Sequence, residues 1–194
     1  MKTMRVWTGP VHAQKSKRAL AAARRSVRLG HDVVLVRPIE SVRDHECPGF
    51  LTTKDGEQWP SIDVESPELI HTAAEGATMV WVDEPSLFSE EDEPKVFGII
   101  QKLRRTKRIL ISGLCATSEL EIFRESMMRL VAVADRVYWL RADCDHCKTL
   151  GTATRSWHIC GKTEQVDVGG VDQYQALCPS CWSTAMEERM TVKQ

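Results

Sequence analysis

Cys144, Cys147, Cys178 and Cys181 form two C-x2-C pairs with 30 residues between them. Two intervening residues let one turn present both sulfurs to the same ion, and four thiolates favour tetrahedral zinc. Because four protein ligands leave no open position, the spacing predicts a structural zinc that ties together the ends of the intervening loop. Cys160, His146 and His158 lie nearby, but local packing or surface placement is the simpler account of each. A second constellation is Gly9-Pro10-Val11-His12-Ala13-Gln14-Lys15-Ser16. A phosphate loop asks for G-x-x-x-x-G-K-[ST], with its lysine offsetting phosphate charge and its hydroxyl on magnesium. Every element is present except the second glycine, which is Gln14. A side chain there crowds the phosphates or demands an unfavourable backbone angle. The third constellation is Val80-Trp81-Val82-Asp83-Glu84, an apolar run ending in two carboxylates. Asp83 is expected to hold magnesium and Glu84 to accept a proton from an attacking hydroxyl. Taken singly, these segments also read as a strand-to-helix turn and an acidic surface turn; together they predict a nucleoside triphosphate site.

Such residues need rigid elements to hold them. Short apolar runs at Met4–Trp7, Val33–Val36, Thr78–Val82, Ile109–Ile111 and Val137–Leu140 read as strands, and their near-continuous apolarity suits a parallel sheet covered on both faces. A helix rich in Ala and Arg is expected from Lys15 to Leu29, with Gly30 suited to end it. A shorter one carries Val96, Ile99, Ile100 and Leu103 on one side, and Leu120, Phe123, Met127, Leu130 and Ala134 make a stripe for another. Strand alternating with helix implies a P-loop-type three-layer α/β domain over residues 1–142, followed by a small zinc-binding lasso domain and tail over 143–194. The phosphate loop then follows the first strand directly, and the acid pair sits at a strand's carboxyl end, where open α/β sheets bind ligands. Residues 44–66 are expected to be irregular, and Glu90–Pro94 a solvated turn. Within the lasso, Ala153-Thr154-Arg155 is expected to pair with Val166–Gly170, with Tyr174 just after. Gly169 and Gly170 would let backbone close over a flat ligand, and Tyr174 would pack on it or hydrogen-bond to it, making a flap that excludes water.

Composition narrows the partners. Of 194 residues 27% are charged, and the formal net charge is -1, so there is no global field to hold nucleic acid or an anionic membrane. The basic stretches Lys15–Arg28 and Lys102–Arg108 read as solvated faces and turns, and the loop between the cysteine pairs has no dense basic and aromatic interleaving. No run of 18 apolar residues and no apolar stretch behind the basic start argue against a membrane span and a secretory signal. Seven cysteines, an odd number, fit reduced thiols in a cytoplasm.

The order of these features resembles type II thymidine kinase, the tetrameric zinc-containing class, across nearly the whole chain. The resemblance rests on Gly9 to Ser16, Arg37-Pro38 with Arg43, Val82-Asp83-Glu84 with Phe88, Ile111-Ser112-Gly113-Leu114 with Phe123, Ala134-Asp135 before Leu140, and the cysteine pairs enclosing Gly169-Gly170, Tyr174 and Ala176. It implies an ATP-dependent kinase of thymidine or a related pyrimidine deoxynucleoside, serving DNA synthesis in the cytoplasm as a homo-tetramer. Gly9, Lys15, Ser16 and Arg43 would serve the ATP phosphates, Ser16 and Asp83 magnesium, and Glu84 would deprotonate the 5′-hydroxyl. Val168 and Gly169 would meet the base through main-chain groups, with Tyr174 beside them. The departures cluster in the pocket: Gln14 replaces glycine, His12 an aromatic, Ser41 an acid, Ser86 and Leu87 a glutamine and an aromatic, and Cys115 and Ser118 an aspartate and the aromatic that packs on the nucleobase. Losing that stacking costs about 1 to 3 kcal/mol if nothing replaces it. Two other readings stay open on the sequence: a non-catalytic relative used in assembly or regulation, and a zinc-containing nucleic-acid module.

Overall fold

Alternation along each strand decides how the layers form. The computed structural model describes residues 1–42, 47–159 and 173–192. Its elements run β1 (Met4–Thr8), α1 (Lys15–Arg28), β2 (Val33–Pro38), β3 (Phe50–Thr52), β4 (Gln58–Val64), α2 (Leu69–Ala73), β5 (Met79–Asp83), α3 (Glu93–Leu103), β6 (Arg108–Ser112), α4 (Glu125–Val133) and β7 (Arg136–Trp139). Then come β8 (Arg155–His158), β9 (Tyr174–Leu177) and α5 (Pro179–Val192). Seven strands form one sheet in the order β3-β4-β2-β5-β6-β1-β7, parallel except for β3, which pairs antiparallel with β4. Successive side chains point to opposite faces. Val6, Val36, Val80 and Ile109 therefore pack with Val96 and Ile100 of α3 and Met127 and Leu130 of α4. Their neighbours Trp7, Leu35, Trp81 and Leu110 pack with Ala19, Leu20 and Ala23 of α1. These three layers match the expected architecture. Because β6 lies between β1 and β5, its carboxyl end inserts between the phosphate loop and the acid pair.

A second, two-stranded sheet joins β8 and β9 antiparallel, from Arg155↔Leu177 to His158↔Tyr174. Its core, with Ala153, Trp157, Ala176 and Leu177, also contains Ala13 of the phosphate loop and Ala142. The expected hairpin differs accordingly: β8 starts at Arg155, Ala153 bridges to Ala142 instead, and Tyr174 lies within β9. The proposed partner segment Val166–Gly170 and Cys160 fall outside the described residues.

Three other expectations change. The segment 44–66 contains the β3–β4 hairpin rather than irregular chain, because Asp55-Gly56 makes its turn, with Gly56 at φ 79°. Glu93 is not in a solvated turn: it opens α3, is buried, and its carboxylate accepts the Ser126 N–H at 2.6 Å. That contact supplies an acceptor to an α4 start that has no side-chain cap of its own. The stripe from Leu120 does not begin a helix, since α4 starts at Glu125, Leu120 sits at φ 64°, and Ala116 bridges to Ile122. No described helix is long and apolar enough to cross a membrane.

Candidate functional site

The phosphate loop starts at a position only glycine fits. Gly9 has φ 147°, and a Cβ there would lie 2.5 Å from the Leu140 carbonyl oxygen. At its far end Gln14 sits at φ 60° and ψ 32°, the left-handed region that costs a residue with a side chain about 1 to 2 kcal/mol. Of the two difficulties expected at the missing glycine, the backbone angle is present. The Gln14 side chain is exposed and lines the cleft.

α1 then delivers Lys15 and Ser16 to the carboxyl end of β5. Lys15 is buried, with Nζ donating to the Pro10 carbonyl at 3.2 Å and lying 3.9 Å from Glu84 Oε1. Ser16 Oγ donates to both Asp83 oxygens, at 3.0 and 3.2 Å. Ser112, at the end of β6, also donates to Asp83 Oδ1 and itself accepts the Trp81 indole N–H at 2.7 Å. Burial, then the neighbouring Glu84 charge, push the Asp83 carboxyl up to about 7, against the Ser112 and Ser16 hydrogen bonds and Lys15. A hydroxyl and a carboxylate converging beside a lysine are the hard oxygen donors that magnesium uses. In the sequence Ser112 merely ends an apolar run; its role as the support under Asp83 needs the β5–β6 register, Asp83↔Ser112.

Glu84 is held in a second left-handed conformation, φ 46° and ψ 52°. Its N–H donates to the Ser112 carbonyl at 2.6 Å, and its Oε2 accepts the Leu114 N–H at 3.2 Å. Gly113 leaves it room, since a Cβ there would sit 3.4 Å from Oε2 and 3.3 Å from Pro85 Cδ. Two strand ends thus over-determine an unfavourable backbone, the usual circumstance in which such strain persists.

The cleft over Lys15, Asp83 and Glu84 is closed on its far side by the β3–β4 turn, through Thr53, Lys54 and Asp55. Thr53 N–H donates to the Glu57 carbonyl at 2.8 Å, and the turn is tied to α1 by ion pairs Lys17–Asp55 and Arg24–Glu57. Sequence reasoning missed this wall, although Asp55-Gly56 was the signal available for it. Arg43 falls outside the described residues.

A second cleft opens between the end of β1, the loop after β6, β7 and β8, lined by Thr8, Cys115, Thr117, Leu120, Trp139 and Thr154 among others. Thr8 Oγ1 donates to Cys115 Sγ at 3.0 Å, and burial pushes the Cys115 thiol up. Ser86 Oγ donates to the Leu114 carbonyl at 3.1 Å, and the Ser118 carbonyl accepts the Trp182 indole N–H at 3.0 Å. Tyr174 lines neither cleft; its ring stands edge-on to buried His158, with centroids 4.8 Å apart. Val168 and Gly169 fall outside the described residues.

The four cysteines do meet. The Sγ atoms of Cys144, Cys147, Cys178 and Cys181 all lie within 4.8 Å of one another, with Cys147 and Cys178 4.0 Å apart. A tetrahedron with Zn–S bonds of about 2.3 Å has edges of roughly 3.8 Å, so the set fits a zinc ion after a small contraction. The same unit grips the phosphate loop. Ser156 Oγ accepts the Val11 N–H at 3.0 Å, and His12 Nδ1 lies 3.2 Å from Asp145 Oδ2, which also accepts the Ala176 N–H at 2.6 Å. Burial, then the nearby Lys54 charge, lower the His12 pKa, which favours the neutral ring in this contact. No sequence motif announced this link, because its partners are 133 residues apart.

The family model described as thymidine kinase matches residues 2–182. A thymidine kinase of Chloroflexus aurantiacus is 33% identical over 144 residues, covering 71% of this chain and 73% of the relative. One of Coprothermobacter proteolyticus is 28% identical over 180 residues, covering 90% and 87%. Among solved structures, a DNA replication initiation factor superposes with a TM-score of 0.46 at 11% identity, over 74% of this chain and 41% of that one.

Proposed function

The chain belongs to the thymidine kinase family, and from that premise we propose that it transfers the γ-phosphate of ATP to the 5′-hydroxyl of thymidine or a related pyrimidine deoxynucleoside. The observation that carries this reading is the convergence of Lys15, Ser16, Asp83 and Glu84 at the ends of β1 and β5. Residues 1–142 serve as the nucleotide-binding domain and 143–194 as the zinc-holding lasso.

Phosphoryl transfer asks mainly for positioning and for charge where charge develops. The phosphate loop from Gly9 to Ser16 takes the triphosphate, and Lys15 exchanges its contact with the Pro10 carbonyl for phosphate oxygens. Glu84 accepts the proton of the 5′-hydroxyl as its oxygen attacks the γ-phosphorus; the bond to the β–γ bridging oxygen breaks and ADP leaves. Lys15 offsets the charge growing on that bridging oxygen. Asp83 and Ser16 would hold magnesium, which when bound neutralises phosphate charge. Ser112 and Trp81 keep the Asp83 carboxylate oriented, and the left-handed backbone of Glu84 sets its carboxylate beside the Lys15 ammonium. Zinc at the four cysteines keeps the lasso folded and takes no part in transfer.

Transfer of labelled γ-phosphate from ATP to thymidine, deoxyuridine, deoxycytidine, purine deoxynucleosides and 5-substituted deoxyuridines tests this directly. Product with pyrimidine members, lost in Glu84→Gln, is expected. No product across the panel from folded, zinc-loaded protein would overturn the reading.

A further inference from the structure

Of the six tryptophans, five are buried or partly buried against other side chains. Trp7 stacks on Tyr138, Trp81 is fully buried, Trp59 packs against the same core layer, and Trp157 and Trp182 meet edge to face. Trp139 is different. It is 62% exposed, at the end of the edge strand β7, in register with Thr8 just ahead of the phosphate loop. Among the described residues its ring touches no other ring or cation and its indole N–H has no acceptor. It nevertheless lines the second cleft, and among the described residues no other aromatic does.

Resting on the kinase reading above, we propose that the second cleft, whose Cys115 follows the Leu114 that donates to Glu84, takes the acceptor's base, and that Trp139 is its stacking platform, supplying from β7 an aromatic surface that the loop after β6 lacks at Cys115 and Ser118. An indole face suits any flat heterocycle, because every base offers a π-face. The rest of the cleft supplies polarity rather than stacking, through Thr8, Thr117, Thr154 and Ser156. Arg141 and Arg155 line it with no carboxylate among the lining residues, and Arg155 Nε is buried without a hydrogen-bond partner. Two guanidinium groups and no carboxylate favour a base rich in carbonyl oxygens, and the hydroxyls can accept from its ring N–H, which is the chemistry of a pyrimidine dione.

The test titrates thymidine and deoxyuridine into full-length wild type, Trp139→Phe and Trp139→Ala, reading calorimetric affinity, tryptophan emission and transfer from ATP. Wild type should lose emission on binding, and both variants should lose that quench. Trp139→Ala should bind about 5- to 150-fold more weakly, with its KM for ATP unchanged, while Trp139→Phe stays near wild type in affinity. Equal binding by wild type and Trp139→Ala, or a full quench in Trp139→Phe, overturns the platform and leaves the kinase reading standing. A change in sedimentation of Trp139→Ala with unchanged affinity also overturns it, assigning the ring to contact with a second copy. Wild type that neither binds nor phosphorylates any nucleoside overturns the kinase reading itself.

Discussion

The two ends of the site are built in opposite ways. At the phosphate end, Lys15, Ser16, Asp83 and Glu84 sit on strand termini or a helix start, and their polar atoms are tied to Pro10, Ser112, Leu114 and one another. At the proposed acceptor end, the wall comes from the loop after β6, an edge strand and β8, and apart from Leu120, Leu140, Trp139 and two arginines its side chains are small. Phosphoryl transfer tolerates little error in position, so the first end is fixed by register between central strands. Base recognition can be rebuilt one side chain at a time on loops, which bear change without disturbing the core. Of the departures that the resemblance implies, Cys115 lines the second cleft, whereas His12, Gln14 and Ser41 line the cleft at the phosphate end.

The largest expected effect breaks the division. Because the zinc unit touches both ends, through Asp145 and Ser156 on the phosphate loop and Trp182 on Ser118, removing zinc should abolish transfer and also weaken ATP binding. Chelation followed by calorimetry with ATP checks this, and ATP affinity unchanged in zinc-free protein would show the phosphate end to be independent of the lasso. Next, Glu84→Gln should lower kcat by about 10²- to 10⁴-fold, the usual worth of a positioned base, with ATP affinity and zinc content intact. Wild-type rates in that variant would sink the proposed base role. Ser112→Ala is smaller. It removes a donor to Asp83 and strands the buried Trp81 N–H, costing about 1 to 3 kcal/mol of stability, which urea unfolding measures; transfer at saturating ATP should fall by about tenfold if the lost donor misorients the carboxylate. A stable variant with unchanged kcat would make Ser112 a packing residue only.

How much of this was legible beforehand followed the range of the interactions involved. The five apolar runs, the Lys15 helix, the cysteine cluster and the acid pair were readable because each rests on local periodicity or short spacing. The two extra strands were missed because Gln58-Trp59-Pro60-Ser61 looks like loop until Asp63 is seen pairing with buried Arg37 and β4 lying against β2. Leu120 continued a helical stripe that the chain does not follow, since its left-handed backbone is set by the Ala116–Ile122 bridge and not by propensity. Ser112 under Asp83, His12 against Asp145 and Trp139 beside the acceptor cleft all depend on register between distant strands. Tyr174 is expected beside the substrate from its place in the motif order; the pairing of β8 with β9, which stands its ring edge-on to His158, could not be read from that order.

The smallest effect is expected at Gln14, which departs from the phosphate-loop motif at its second glycine. Gln14→Gly relieves a left-handed strain of about 1 to 2 kcal/mol, while glycine's added freedom in the unfolded chain takes back roughly 0.5 to 1 kcal/mol. Stability should therefore rise by about 1 kcal/mol or less. Nucleotide affinity measures something else, because a Cβ removed from the loop lets its amides approach the phosphates more closely. Thermal unfolding and ATP calorimetry on the same variant separate the two. Tighter ATP binding with little gain in stability means that the side chain obstructs the loop, and that this chain has been altered at both ends. Unchanged ATP affinity with the small gain in stability means that the loop already accommodates Gln14 at the cost of strain alone.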